Sequence, residues 1–284
     1  MQCLTPIRVR GSTLVPCGKC SICRQNYRNM WIARLNAEFY VSKYAFFITL
    51  TYNQDYEKFK EYVDINTGEV INKQYSPVRD VQLFLKKLRK IYPEKIRYFV
   101  VSEYGEKTLR PHWHMLLFLN DLELERKQFY DNVKNTWANG TVHFGDCQPA
   151  SITYCTKYLL KSSRLPFGIN DTKMLCSRRP AIGSGYILTR KDFAIERKNF
   201  TQLHMYGKVY ALPRLFRDKF RTVLTEDDDK KLKLSLSNAI YERDKKLKDE
   251  FLHSHFEDFG EFLRWKSEQH KNLQKSNVTK HDKI

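Results

Sequence analysis

The segment HWHMLLFL, residues 112–119, constrains the fold more than any other stretch of this chain. It has the composition of a buried β-strand, yet it begins with two histidines one residue apart. Side chains alternate across a strand, so His112 and His114 lie on one face and Trp113 on the other. Two imidazoles on one face are arranged as two metal ligands would be. The ordinary alternative is a pair of structural histidines, and the rest of the chain must decide between them.

Helix and strand patterns alternate around this segment. A stripe of Tyr27, Trp31, Leu35 and Phe39 predicts an amphipathic helix. Further patterns predict strands at 45–52, 96–104, 112–119 and 141–146, helices at 79–92, 123–137 and 150–161, and a hairpin turn at 65–70. This order predicts an α+β fold, in which helices back a central antiparallel β-sheet, akin to ferredoxin-like and RNA-recognition topologies. The histidine pair would lie on a central strand.

The positive charge of the chain is unevenly distributed. The formal net charge is +18, but residues 226–284 carry 13 Lys and Arg against 13 Asp and Glu, whereas residues 1–225 carry 37 against 19. Such a field attracts polyanions, above all nucleic acid, although it could simply keep a sheet protein in solution. We expect three parts: a Cys-rich segment and helix (1–43), a central domain (44–225) and a charged helical tail (226–284).

Four of the seven cysteines lie in the first 23 residues: Cys3, Cys17, Cys20 and Cys23. In a reducing cytosol such a cluster indicates a metal site before it indicates disulfides, and four thiolates suit a structural Zn²⁺. An iron–sulfur cluster and unliganded thiols remain alternatives. Cys147, Cys155 and Cys176 are scattered and would fill small spaces in the core.

The segment YCTKYLLK, residues 154–161, adds a second set of polar residues. Tyr154 and Tyr158 lie four residues apart on a predicted helix, and each precedes a lysine, Lys157 or Lys161, by three residues. With a metal at the histidines, this set can attack a phosphodiester: the metal polarises the phosphate and a tyrosine is the nucleophile. A nearby ammonium group would make the phenol easier to ionise.

A divalent ion held by two histidines needs an oxygen ligand as well. Glu103, near the end of the preceding strand, is the best candidate, because an antiparallel neighbour can place it beside His112. Glu106, nearer the turn, is the second choice.

The motifs FFITLTYN, HWHMLLF and YCTKYLLK, in this order, resemble those of the HUH-type rolling-circle replication initiators. PCGKCSICR and SRRPAIGSGY resemble the initiators of the microviruses, especially their gokushovirus branch. The resemblance covers residues 1 to about 190. It implies an endonuclease and strand transferase that nicks single-stranded DNA at an origin and forms a 5′-phosphotyrosine intermediate. It also implies Mg²⁺ or Mn²⁺ on His112, His114 and Glu103, and two alternating nucleophiles, Tyr154 and Tyr158, assisted by Lys157 and Lys161.

The same resemblance implies the partners. They are single-stranded DNA at a phage origin, a host polymerase and a host helicase, in the cytoplasm of a bacterial host, with no membrane association. The basic or hydroxyl-bearing candidates for contacts with the DNA are Thr51, Arg110, Arg178 and Arg179. Thr51 belongs to the motif TLTY, with Thr49 and Tyr52, and plain strand residues are an equally good interpretation of that motif.

Two other functions fit parts of the sequence. A transposase or a plasmid-mobilising relaxase would use the same chemistry. A zinc-stabilised nucleic-acid-binding protein without catalysis would use an RNA-recognition-like sheet, but such a sheet presents aromatic side chains to stacked bases, whereas this strand presents histidines.

Overall fold

The structure is a computed structural model that describes residues 3–9, 13–63, 67–93, 96–105, 110–120, 123–160, 172–187, 189–190, 201–222 and 224–281. The strands are β1 (Ile7–Val9), β2 (Thr13–Val15), β3 (Tyr44–Thr51), β4 (Phe59–Val63), β5 (Val70–Gln74), β6 (Arg97–Tyr104), β7 (Pro111–Leu119), β8 (Val142–Asp146), β9 (Met174–Cys176), β10 (Gln202–Met205) and β11 (Lys208–Ala211). The helices are α1 (Ser21–Val41), α2 (Val78–Ile91), α3 (Arg126–Thr136), α4 (Pro149–Lys157), α5 (Arg214–Arg221), α6 (Glu226–Leu252) and α7 (Phe259–His281).

The chain divides into two compact units. One comprises residues 31–192 and 204–208, and the other comprises residues 1–30, 193–203 and 209–284. The three segments expected from the sequence, 1–43, 44–225 and 226–284, stay a prediction. We refer to the first of the two units as the sheet unit and to the second as the cysteine unit.

The sheet unit is built on a five-stranded sheet with the strand order β8, β3, β7, β6, β9. Every neighbouring pair is antiparallel, and β7, which carries the histidine pair, lies in the centre. The α+β prediction and the central position of the pair are thus confirmed. The three-residue edge strand β9 has no periodic pattern, and the sequence did not predict it.

One face of the sheet packs against α2 and α3 and forms the hydrophobic core. Val81, Phe84, Leu85 and Leu88 recur at helical spacing on α2 and are all buried. They meet side chains that point to this face of the three longest strands, including Leu50, Trp113, Met115, Leu117 and Val100. This packing fixes the register of β7, since a slip by one residue would turn Trp113 towards the opposite face.

The opposite face of the sheet packs against α4 and the second half of α1. The Trp31 ring on α1 lies 5.2 Å from the Phe99 ring on β6, and buried Cys155 and Ile152 lie on α4. The histidine pair is on this face, so the same strand that completes the core also supplies polar groups under α4. Helix α4 ends at Lys157, earlier than the expected Lys161. The N–H of Tyr158 donates to the carbonyls of Cys155 and Thr156, which tightens the last turn.

In the cysteine unit, the helical C-terminal extension expected from the sequence is confirmed. Helix α6 begins where the Thr225 hydroxyl accepts from the N–H of Asp228, and four acidic residues follow in its first turn. The remaining strand pairs are the small hairpins β1–β2, β4–β5 and β10–β11, of which β4–β5 contains the turn expected at 65–70. Among the described residues, no helix is long and apolar enough to cross a membrane.

Candidate active site

The strand register brings the predicted metal ligands onto one face of the sheet. His112 lies opposite Glu103 on β6 and opposite Thr51 on β3. His114 lies opposite Thr49 on β3. Opposed residues in antiparallel strands point to the same side, so all of these side chains face α4. The expected neighbourhood of Glu103 and His112 is therefore present in the backbone pairing.

His114 is the best-anchored group of the site. Its Nε2 lies 2.7 Å from Glu103 Oε2, and its Nδ1 lies 3.0 Å from Thr49 Oγ1, with the imidazole only 4% exposed. A proton on Nδ1, donated to Thr49, leaves Nε2 as the ring nitrogen that can act as a ligand. A hydrogen bond to one imidazole nitrogen commonly sets the role of the other in this way.

His112 has the opposite surroundings. Its Nδ1 is buried and has no hydrogen-bond partner within the described part of the chain. Burial lowers the pKa of His112, and the nearby Glu103 carboxylate opposes that shift. A neutral imidazole with an unsatisfied buried nitrogen is a donor in need of a partner, and a metal ion would provide one.

The two tyrosines meet over His114. The Tyr158 ring stacks on the imidazole at 4.7 Å and 9°, while the Tyr154 ring stands edge-on to it at 5.4 Å. The two phenol rings are perpendicular, with centroids 5.1 Å apart. Four-residue spacing on α4 thus brings both tyrosines to the histidine, as the sequence predicted. Their catalytic roles stay a prediction.

Their exposure separates the two tyrosines sharply. The Tyr154 side chain is 44% exposed, whereas Tyr158 is 3% exposed. Burial raises the pKa of Tyr158 well above its usual range, and hydrogen bonds with Tyr154 and Glu103 raise it further. A phenol beside an ionised carboxylate donates its proton to that carboxylate, so Tyr158 remains neutral and Glu103 remains charged.

The predicted lysines and the second acidic ligand are only partly described. Lys157 is half-buried at the last residue of α4, one residue before Tyr158. Lys161 and Glu106 lie outside the described residues.

The four predicted DNA contacts have different surroundings. Thr51 Oγ1 lies 3.2 Å from the Thr141 carbonyl oxygen, and the Arg110 guanidinium pairs with Glu57 at 2.7 Å. Arg178 and Arg179 are both exposed. Tyr52 of the same motif belongs to the core on the other face, because its hydroxyl accepts from the Trp113 indole and bonds to Asp80.

Two further residues line the site, and the sequence analysis missed both. The Phe47 ring lies 5.9 Å from both the His114 ring and the Tyr154 ring. His143 on β8 lies opposite Thr49 and is exposed on the same face. The alternation of TVHFGD places His143 on one face with Gly145, but the face that belongs to the site becomes known only once β8 is paired with β3.

The four N-terminal cysteines form a second cluster, within the cysteine unit. The Sγ atoms of Cys3 and Cys20 lie 3.9 Å apart and those of Cys17 and Cys23 lie 4.0 Å apart, and all four Sγ atoms lie within 4.8 Å of one another. All seven cysteines are free thiols. Burial raises the pKa of the Cys17 thiol, but hydrogen bonds, first of all from the Cys20 N–H, outweigh it and lower that pKa to about 6.

This spacing fits a tetrahedral metal site. Four sulfurs at the zinc–sulfur bond length of about 2.3 Å are separated by about 3.8 Å, close to the two separations just given. Backbone N–H groups of Cys17, Cys20 and Cys23 donate to Sγ atoms of Cys3, Cys17 and Cys20 at 3.3, 3.3 and 3.4 Å. Such donors stabilise thiolates around a cation. Cys147 and Cys155 are buried, as space-filling cysteines would be, and Cys176 is half-buried.

Comparison with known proteins agrees with the geometry. Residues 45–163 match the family model of the replication-associated protein ORF2. Replication-associated protein VP4 of Bdellovibrio phage phiMH2K is 26% identical, over 88% of this chain and 80% of that protein. ORF4 of Chlamydia phage 1 is 26% identical, over 76% of this chain and 55% of that protein. ORF2 of Spiroplasma virus 4 is 27% identical, over 57% and 51%.

The chain thus spans most of the first relative and about half the length of the other two. Among solved structures, the N-terminal nuclease domain of the minute virus of mice non-structural protein 1 aligns over 57% of this chain and 83% of that domain at 13% identity. Its TM-score of 0.21 is too low to inform fold or function. The family model and the three phage and viral relatives confirm the resemblance found in the sequence: this chain belongs to the replication-associated proteins of the ORF2 family.

Proposed function

We propose that this protein initiates rolling-circle replication by nicking and rejoining single-stranded DNA at an origin, through a covalent bond between a tyrosine and a 5′-phosphate. The observation that carries this proposal is the contact of both tyrosine rings with His114, whose Nε2 faces the Glu103 carboxylate. Nucleophile, imidazole and carboxylate thus share one small volume on the sheet, which is the arrangement that phosphodiester attack requires.

His112, His114 and Glu103 would hold a divalent ion, Mg²⁺ or Mn²⁺. The unsatisfied Nδ1 of His112 and the mixed nitrogen and oxygen donor set support this assignment. When bound, the ion would withdraw charge from the scissile phosphate. Thr49 orients His114, and Phe47 excludes water beside the imidazole.

The tyrosines carry the transfer. A phenol oxygen attacks the phosphorus, a new phosphorus–oxygen bond forms to tyrosine, and the bond to the 3′-oxygen breaks. The proton lost by the phenol balances the one gained by the departing 3′-hydroxyl, so the strand transfer needs no ATP. The exposure of Tyr154 supports it as the first nucleophile, because DNA reaches its hydroxyl without displacing a neighbouring side chain. Tyr158 then acts in the second transfer, which closes a circle, and Lys157 and Lys161 lie near enough in sequence to assist.

Several partners accompany this function. A free 3′-hydroxyl is a primer for a host polymerase, and a host helicase would unwind the duplex ahead of it. The names of the relatives, all replication-associated proteins of bacterial phages or viruses, support the cytoplasm of a bacterial host as the place of action. They favour a replication protein over a transposase or relaxase. A non-catalytic binding protein is not favoured, because it would not need two phenols in contact with an imidazole.

The Cys3, Cys17, Cys20 and Cys23 cluster binds a structural Zn²⁺ in this proposal. Sulfur separations of 3.9 and 4.0 Å, near the tetrahedral value, support it. With four protein ligands the ion has no open position, so its role is to stabilise the fold of the N-terminal segment.

The decisive experiment mixes the purified protein with the single-stranded circle that encodes it and Mn²⁺, and measures a denaturant-resistant protein–DNA adduct. Wild type is compared with Tyr154→Phe, Tyr158→Phe and the double variant, and with Tyr130→Phe as a control tyrosine of α3 on the other face of the sheet. We expect Tyr154→Phe to lose most of the first adduct and the double variant to lose all of it. Tight DNA binding without an adduct from any form would refute the nicking function and favour a binding protein.

A further inference from the structure

A cavity of about 290 Å³ opens beside β9, at the edge of the sheet. It lies within the sheet unit and is lined by α1, β9 and the segment 177–181 that follows β9. Two arginines, Arg34 and Arg178, line it together with the apolar side chains of Trp31, Met174 and Ala181. Its volume is at the lower limit of small-molecule sites, which start at about 300 Å³, so it suits a single nucleotide better than a large ligand.

The cavity is positively charged and has an aromatic wall. The Arg34 guanidinium lies 4.3 Å from the Trp31 ring centroid, and none of the described residues that line the cavity is acidic. Arg178 makes no hydrogen bond or ion pair with any residue that the structure describes. A guanidinium that is not paired with an acid beside flat apolar surface is the combination that binds a phosphate and a base together.

The wall that carries Arg178 is held by buried charges. The Arg97 guanidinium pairs with Glu38, and these two side chains are buried, with residues 7% and 1% exposed. Arg97 also donates to the carbonyls of Pro180 and Ala181 at 2.9 and 3.0 Å, while Glu38 accepts from the N–H of Gly183 at 2.6 Å. A buried ion pair alone says little about stability, but this one fixes consecutive backbone groups of one loop.

Arg34 completes this framework by donating to the carbonyl of Ile182 at 3.1 Å. Gly183 has a φ of 81°, a left-handed conformation that other residues rarely adopt. The segment 180–183 is thus ordered before any ligand arrives, which lowers the entropy cost of binding.

The cavity opens on the face of the sheet that carries the candidate active site. Met174 on β9 lies opposite Val101 on β6, and Val101 lies opposite His114 on β7. Two strand spacings of about 4.8 Å therefore separate the Met174 and His114 positions, roughly 10 Å in all. A short stretch of single-stranded DNA can span that distance.

We propose that this cavity binds one nucleotide of the single-stranded DNA substrate, near the phosphate that is cut, with Arg178 on the backbone phosphate and the base against the Trp31–Arg34 wall. The proposal rests on the proposed function, because it takes DNA as the substrate of the sheet face. It also separates two neighbours that the sequence treats alike, since Arg178 lines the cavity and Arg179 does not.

The test uses the full-length Tyr154→Phe/Tyr158→Phe protein without metal, so that nicking cannot affect the result. The probe is a fluorescent oligothymidylate of about 16 nucleotides, measured by anisotropy. We expect Arg178→Ala to weaken binding about tenfold, as the loss of one charge-assisted phosphate contact predicts. Ala181→Trp, which fills the cavity and keeps every charge, should weaken it comparably. Arg79→Ala, which removes an exposed arginine on α2, should change it less than about twofold.

A second measurement locates the contact. The same oligonucleotide with 4-thiothymidine is irradiated, and the cross-linked peptide is identified by mass spectrometry. We expect a cross-link within Met174–Arg178, lost in Ala181→Trp, and undiminished by millimolar free thymidine monophosphate. If the free nucleotide displaces it, the cavity binds nucleotides rather than DNA. Equal effects of Arg178→Ala and Arg179→Ala with a harmless Ala181→Trp, or bound oligonucleotide with cross-links only elsewhere, would overturn the proposal.

The two proposals fail separately. A tyrosyl adduct on the circular DNA without a cross-link at Met174–Arg178 would remove the nucleotide cavity and leave the nickase. A cross-link at the cavity without any adduct would remove the nickase and leave a DNA-binding cavity. Absence of oligonucleotide binding would overturn the cavity outright.

Discussion

One hydroxyl orients the central imidazole of the candidate active site. Thr49 Oγ1 lies 3.0 Å from His114 Nδ1, whereas the Thr51 hydroxyl, two residues along the same strand, bonds to Thr141. We predict that Thr49→Val weakens Mn²⁺ binding about 10- to 100-fold, because groups that hold a metal-binding histidine commonly contribute that much. Isothermal titration with Mn²⁺ measures it.

Thr51→Val is the matched control, because its hydroxyl touches no imidazole. It should leave the Mn²⁺ affinity unchanged, and both variants should retain the affinity of wild type for single-stranded DNA in the absence of metal. Equal Mn²⁺ affinities for Thr49→Val and wild type would show that Thr49 has no part in positioning His114.

At this scale the sequence predicts which residues meet but not how each is surrounded. Period-two spacing puts His112 and His114 on one face, and four-residue spacing puts Tyr154 and Tyr158 on one side of a helix, so both pairs follow from local geometry. The contrast between 44% and 3% exposure of the tyrosines does not follow, because it depends on where α4 ends over β7. Likewise, only the pairing of β3 with β7 distinguishes Thr49 from Thr51.

At the scale of elements, the long periodic segments were the predictable ones. Helix α2 and strands β3, β6 and β7 appear within two residues of their predicted bounds, because each presents a full apolar stripe or run to the core. Strand β9 was missed because three residues cannot show a period. The cavity beside it was missed for a related reason: Trp31 and Arg34 come from α1, far from β9 in sequence, and only tertiary packing brings them together.

The junction between β3 and β8 leaves no room for a side chain. A Cβ added at Gly140 would lie 2.7 Å from the backbone nitrogen of Asn53 and even closer to the carbonyl oxygen of Thr51. Backbone atoms cannot move aside cheaply, so Gly140→Ala should lower the free energy of unfolding by about 1–3 kcal/mol. A Cβ at Gly145 on β8 meets nothing within 4 Å, so Gly145→Ala is the control. Thermal unfolding followed by circular dichroism measures both, and equal melting temperatures would contradict the predicted clash.

The cysteine cluster gives the N-terminal segment its own test. If four thiolates hold Zn²⁺, Cys20→Ser should reduce the zinc content well below one ion per chain and lower the melting temperature, since metal binding contributes directly to folding. Elemental analysis of protein purified without chelators measures the zinc. Cys176→Ser, which changes a half-buried thiol outside the cluster, should keep the full zinc content. Wild type without zinc, or with iron in its place, would reject the assignment.

For the molecule as a whole, the charge distribution separates DNA binding from catalysis. The excess of positive charge lies within residues 1–225, and residues 226–284 are neutral overall. Binding of single-stranded DNA should therefore weaken steeply with salt, with a slope in log–log form of about −0.7 for each phosphate neutralised. His114→Ala should abolish metal-dependent cleavage and keep this slope, because a neutral imidazole releases no counterion from the DNA.

The C-terminal helices provide the complementary control. Lys245 and Lys248 lie on α6 among acidic residues of the same helix, so their field at a distance is largely cancelled. Lys245→Gln/Lys248→Gln should leave both the affinity and the salt slope of oligonucleotide binding unchanged in an anisotropy titration. A slope reduced by about 0.7 for each lysine replaced would place DNA on α6. The nucleic-acid surface would then extend beyond the sheet face, because the local charge of the helix, rather than its neutral sum, would govern its contacts.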